Sequence, residues 1–204
     1  MTATASVSKP GNEPAGTGHH LPLSVKQRQH RMTVLLLLAS DIVFMVCLLF
    51  AFFYLKTLNE NNMWLPKGLQ VPPASQGYIL AAILILSSLA YRWGDKGIRK
   101  GNQSQLKAGI GIALVLWIIE FLYQISVWTQ LQMHPGDGGF ASSFYALSGY
   151  HTFHLVLGLF FGIGLFNRIL KGRYTMGDSV DVELVGYFWY WITLAAIIMA
   201  ILPS

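Results

Sequence analysis

Five long blocks of apolar residues, separated by short polar stretches, constrain this chain more than any other feature. They lie near Met32–Leu55, Ala74–Trp93, Leu106–Thr129, Ala141–Phe166 and Val182–Leu202. Roughly 20 residues of helix cross a hydrocarbon layer about 30 Å thick, and each block reaches or approaches that length. The second does so with help from the flanking "PPASQG". The blocks carry neither alternating stripes nor polar faces, which excludes helices buried inside a soluble protein. With 53% apolar and 11% charged residues among 204, and a mean hydropathy of +0.48, the chain is too greasy for an ordinary soluble domain. The expected fold class is all-α: an integral membrane bundle of five transmembrane helices.

The charge distribution orients that bundle. Lys9, Lys26, Arg28 and Arg31 precede the first block, and Arg92, Lys96, Arg99, Lys100 and Lys107 lie around the junction of the second and third. Arg168, Lys171 and Arg173 follow the fourth, whereas the opposite side holds only Lys56 and Lys67. The positive-inside rule then puts the N-terminus on the cytoplasmic (or matrix) side and the C-terminus outside. The net charge of +5 is accounted for by topology, and nucleic acid is not an expected partner. Residues 1–30 are polar and rich in Gly, Pro, Ser and Thr, without a signal-peptide pattern, so they read as a flexible tail before a membrane domain at 31–204. His19 and His20 fall in that tail and read as part of a solvated linker. The single cysteine, Cys47, permits no internal disulfide.

Ionisable residues at bilayer depth are costly, so each is a functional candidate. Asp41 lies about ten residues into the first block, near the midplane at about 1.5 Å per residue, and Glu120 lies at comparable depth in the third. "SGYHTFHLVLG" places His151 and His154 three residues apart, on one side of the fourth helix. His154, Gly158 and Gly162 continue in steps of four, and "GLFFG" is a small-xxx-small pattern that admits a close neighbour. Gly149, Gly158 and Gly162 are the expected packing glycines. On the third helix Glu120, Gln124 and Trp128 form a comparable stripe. The residues predict one buried polar cluster of Asp41, Glu120, Gln124, His151 and His154, serving either as a clamp on helix packing or in handling protons. Glu183 marks the inner end of the fifth helix, and Trp64, Tyr91, Trp93, Trp189 and Trp191 are expected at the membrane interfaces.

Other chemistry is excluded. Two histidines on one helix face cannot sandwich a haem iron, and one cysteine cannot build a thiolate-bridged copper centre. The Glu-x-x-His repeat of di-metal bundles is absent. "GIGIA" at Gly109 opens a membrane helix without a preceding strand, so its glycines read as packing residues and no phosphate loop is present. No catalytic residue and no metal ligand is assigned.

The run "FASSFYALSGYHTFHLVLG", Phe140 to Gly158, resembles the hallmark of subunit III of haem–copper terminal oxidases, with Ser142, Phe144, Gly149, His151, His154 and Gly158 on the pattern without a gap. "LLASDIVFMVCLLFAFF" resembles that family's Ser-Glu-apolar helix, Asp41 standing for the glutamate. "VPPASQGYILAA" is similar to the start of the family's next helix, and "FLYQISVW" matches a further segment at Gln124 and Trp128, with Val127 replacing a glutamate. "GYFWYWITLA" keeps the aromatics of the family's last helix but lacks its His and Asp. The likeness covers roughly residues 30 to 203 and matches a five-helix form.

The resemblance implies a non-catalytic subunit of an oxidase complex in respiratory electron transport, binding no haem or copper itself. Those groups would sit in partner subunits. It implies direct packing against subunit I, contacts with other oxidase subunits and phospholipids, support of proton uptake, and possible membership of a respiratory supercomplex. A bacterial plasma membrane is the expected location. Two alternatives stand beside it: the subunit III-like accessory protein of nitric oxide reductases, and a small proton or metal transporter. The lack of an internal repeat counts against the transporter.

Overall fold

The computed structural model describes residues 23–59, 61, 64–175 and 179–202. His19, His20 and Lys9, and with them the expected tail up to residue 22, lie outside these. Five helices follow in order: α1 Leu23–Leu58, α2 Ala74–Arg99, α3 Gln103–Thr129, α4 Gly139–Leu170 and α5 Val180–Ala200. All five are long and apolar enough to cross a membrane.

The boundaries depart from the apolar blocks in a consistent way. Helix α1 begins at Leu23, so residues 23–30 belong to the helix and not to a tail. The segment "VKQRQHR" has no glycine or proline and is rich in residues that favour helix, so the backbone continues past the apolar limit. For the same reason α4 runs to Leu170, beyond Phe166, and α2 also continues past Trp93 to Arg99, through Gly94 and Gly97.

The turns explain where the helices stop. Helix α2 follows Pro72-Pro73, with Pro73 in an extended conformation at its N-cap. Between α2 and α3 Gly101 takes φ +76°, and Asn102 caps α3 by accepting the Gln105 N–H at 3.0 Å.

Helices α2, α3, α4 and α5 close a ring, each packing on two neighbours, and α1 lies against α4 and α5. The α2–α3 contact is the tightest: a Cβ on Gly109 would stand 2.4 Å from the Gly94 Cα. This supports Gly109 as a packing residue. The centre of the ring is filled by Trp117 and Trp189, both fully buried with ring centroids 4.0 Å apart. Their polar edges are satisfied, Trp117 donating to the Leu155 carbonyl at 2.9 Å and Trp189 to the Ser87 hydroxyl at 2.9 Å.

Tyr91 and Trp189 are fully buried in the ring, Tyr91 donating to the Val182 carbonyl at 2.7 Å, and Trp64, in the loop before α2, is buried against Phe52 and Phe140. Trp93 is exposed, and Trp191 is half-buried. Helix α1 presents Leu36, Leu37, Val43, Phe44, Phe50 and Phe53 outward, an apolar face suited to lipid or to other apolar helices.

The basic residues gather at one end. Arg31 at the start of α1 pairs with Glu183 at the start of α5 at 2.9 Å, and Arg168 near the end of α4 pairs with Asp181 at 3.0 Å.

Candidate functional site: two histidine–carboxylate pairs

Helix α4 lies between α1, α3 and α5, so it can offer polar groups in several directions. Three residues turn a helix by roughly 300°, leaving His151 and His154 about 60° apart around the axis. That divergence sends them to different neighbours, and the single cluster expected from the sequence resolves into two pairs.

His154 turns to α1. Its Nε2 stands 3.0 Å from Asp41 Oδ1, and its Nδ1 lies 2.8 Å from the Tyr150 carbonyl one turn back. Asp41 Oδ2 accepts from the Tyr150 hydroxyl at 2.8 Å and from Trp191 Nε1 at 2.6 Å. The carboxyl thus ties α1 to α4 and α5 together. Its side chain remains 18% exposed, so it sits at the edge of the bundle and not at its centre.

The hydrogen bonds constrain the protons here. A carbonyl only accepts, so His154 Nδ1 carries a hydrogen. Met45, Ala195 and the Tyr150 ring pack around the pair, with the Tyr150 and His154 ring centroids 4.2 Å apart.

His151 turns to α3. Its Nε2 stands 3.0 Å from Glu120 Oε1, and the Glu120 side chain is completely buried. Glu120 Oε2 and His151 Nδ1 have no hydrogen-bond partner among the described residues. This second pair is deeper and less satisfied than the first.

Beside it lies a cavity of ≈ 160 Å³. His151, Ser148 and Gln124 line it, together with Gln76 at the start of α2 and Ala196 on α5. Val71 and Pro72 of the preceding loop put its mouth at the end of the bundle away from the basic cluster. Gln124 thus shares the cavity wall with His151.

The three candidate glycines differ. A Cβ on Gly158 would meet Trp117 Cζ2 at 2.2 Å, and one on Gly162 would meet Leu114 Cδ1 at 2.9 Å and Trp189 Cζ3 at 3.1 Å. These two positions admit indole rings rather than a neighbouring helix backbone. A Cβ on Gly149 would meet nothing within 4 Å. Among the described residues no group of three or more His, Cys, Asp or Glu is placed to hold a metal ion.

Sequence reasoning missed Tyr150, and it assigned Trp191 to an interface although the structure gives it a hydrogen bond to Asp41. Tyr150 lies next to His151 and one turn from His154, which is the signal that pointed to it.

Comparison with known proteins settles the family. The family model described as cytochrome c oxidase subunit III matches residues 11–202. The chain belongs to that family. It is similar to cytochrome c oxidase subunit 3 of Cyanidium caldarium, 26% identical over 166 residues, which cover 79% of this chain and 62% of that protein. It is also similar to cytochrome c oxidase subunit 3 of Syncerus caffer and of Equus caballus, each 25% identical over 179 residues covering 86% of this chain and 68% of theirs. The chain thus spans about two thirds of the length of these relatives. Within the family frame both pairs belong to the segment that carries the resemblance, since His151 and His154 lie in "SGYHTFHLVLG".

Proposed function

We propose that this chain is a non-catalytic subunit III of a haem–copper terminal oxidase, one that packs directly on subunit I and contacts other oxidase subunits and phospholipid. Haem and copper sit in the partner subunits, and the complex reduces O2 to water. The chain stabilises the catalytic subunit and supports its proton uptake. The observation that carries this reading is the family match over residues 11–202. The outward apolar face of α1 is consistent with it, because such a face needs lipid or other membrane helices against it. The basic end of the bundle faces the cytoplasm or matrix, following the bias in Lys and Arg.

The test is extraction from native membranes in mild detergent through a C-terminal tag, followed by a reduced-minus-oxidised spectrum and identification of co-purifying chains. Haem bands with a large multi-histidine subunit are expected. A colourless, solitary protein overturns the reading. The reading places the chain in a bacterial plasma membrane, while the relatives named above come from eukaryotes. Fractionation of the source cells checks this point.

A further inference from the structure

The cavity beside the Glu120–His151 pair invites a ligand of defined chemistry. Its walls are largely apolar, contributed by residues such as Phe52 and Phe144, but Gln76, Gln124, Ser148 and His151 place polar groups along it. His151 is 3% exposed, and its Nδ1 finds no hydrogen-bond partner among the described residues. Glu120, at 0% exposure, leaves Oε2 equally unpartnered behind it. Leaving such atoms dry is costly, whereas a bound water satisfies them with little loss. A water needs about 10–15 Å³ of such space and polar neighbours, and ≈ 160 Å³ holds several.

We propose that this cavity is a hydrated vestibule, entered from the end of the bundle opposite the basic cluster, whose waters reach the Glu120–His151 pair. Gln76 and Gln124 hold the outer waters by their amide groups, and Ser148 and His151 hold the inner ones. The Asp41–His154 pair takes no part, because both Asp41 oxygens and both His154 nitrogens already have protein partners. One pair thus draws on the cavity's water and the other is satisfied by protein groups. The inference rests on this geometry alone and stands whether or not the chain is found with an oxidase.

Thiol accessibility tests it in the full chain in native membranes. In a Cys47→Ala background, Ser148→Cys places a thiol on the cavity wall one helical turn before His151, and Ala196→Cys places a second on the facing helix. Ala195→Cys, fully buried and outside the cavity, is the dry control. A charged, water-soluble methanethiosulfonate reacts only with a thiol that water allows to ionise, so the two cavity positions should react at least ~10-fold faster than Ala195→Cys. A Gln132→Cys variant on the loop after α3 confirms that the reagent is active. Silence at both cavity positions with reaction at Gln132→Cys overturns the proposal. Equal rates at positions 195, 148 and 196 overturn it as well, since the whole bundle would then be permeable. Should one cavity variant fail to accumulate, the other decides alone.

Discussion

His154 Nε2 stands 3.0 Å from Asp41 Oδ1 while its other ring nitrogen faces the Tyr150 carbonyl at 2.8 Å. One imidazole thereby holds a carboxyl on α1 and is itself held by its own helix. The same carboxyl also takes hydrogen bonds from Tyr150 and from Trp191 on α5.

From this geometry Asp41→Asn should be tolerated. The amide oxygen still accepts from Tyr150 and Trp191, and the amide N–H donates to His154 Nε2. The expected loss of stability is below ~1.5 kcal/mol, the net worth of an ordinary hydrogen bond. Assembly and optical spectra of the purified complex should stay near wild type, with at most a modest change in proton uptake or turnover lifetime. Loss of the subunit from the complex would show that the charge, and not the hydrogen bonds, matters.

Removing a histidine is worse, and the two positions should rank. His154→Leu leaves Asp41 with two donors and partial solvent access, so the expected cost is about 1–3 kcal/mol. His151→Leu strips Glu120, wholly buried, of the one hydrogen-bonded side chain that faces it among the described residues, and a group left unsatisfied with no solvent access sits at the upper end of that range, about 3 kcal/mol. Thermal inactivation of the purified variants should therefore place His151→Leu below His154→Leu.

The glycines give a packing test. Gly158→Ala drives a methyl to 2.2 Å from the Trp117 ring, which cannot move without giving up its bond to Leu155. A loss of about 1–3 kcal/mol is expected from such overpacking. Gly149→Ala meets open space and should be neutral or stabilising by up to ~1 kcal/mol, since alanine favours helix. Melting the two variants side by side checks the contrast.

Much of the fold was legible because each membrane helix must be a continuous apolar run. The five blocks were found in order, and Asp41, Glu120, His151 and His154 stood out against them. What stayed hidden depends on neighbours. Nothing in an apolar run says which face meets lipid, so the burial of Trp117 and Trp189 was not legible. Gly158 looked like a helix contact but admits an indole. The i, i+3 spacing of the histidines was compatible with one neighbour or two, and only the placement of α1 and α3 on different sides of α4 decides. Polar helix ends such as residues 23–30 escaped because an apolar window stops where the lipid does.

The separation of the two pairs is the central claim, and double-mutant cycles on unfolding in mixed micelles test it most directly. Within the first pair, Asp41→Ala, which removes the carboxyl that faces His154, combined with His154→Leu should show coupling of at least ~1 kcal/mol, as expected for residues in contact. Across the pairs, His151→Leu combined with Asp41→Ala, residues on different helices that share no hydrogen-bond partner among the described residues, should be additive to within ~0.5 kcal/mol. Coupling between His151 and Asp41 as large as that between Asp41 and His154 would contradict the account and return the residues to a single cluster.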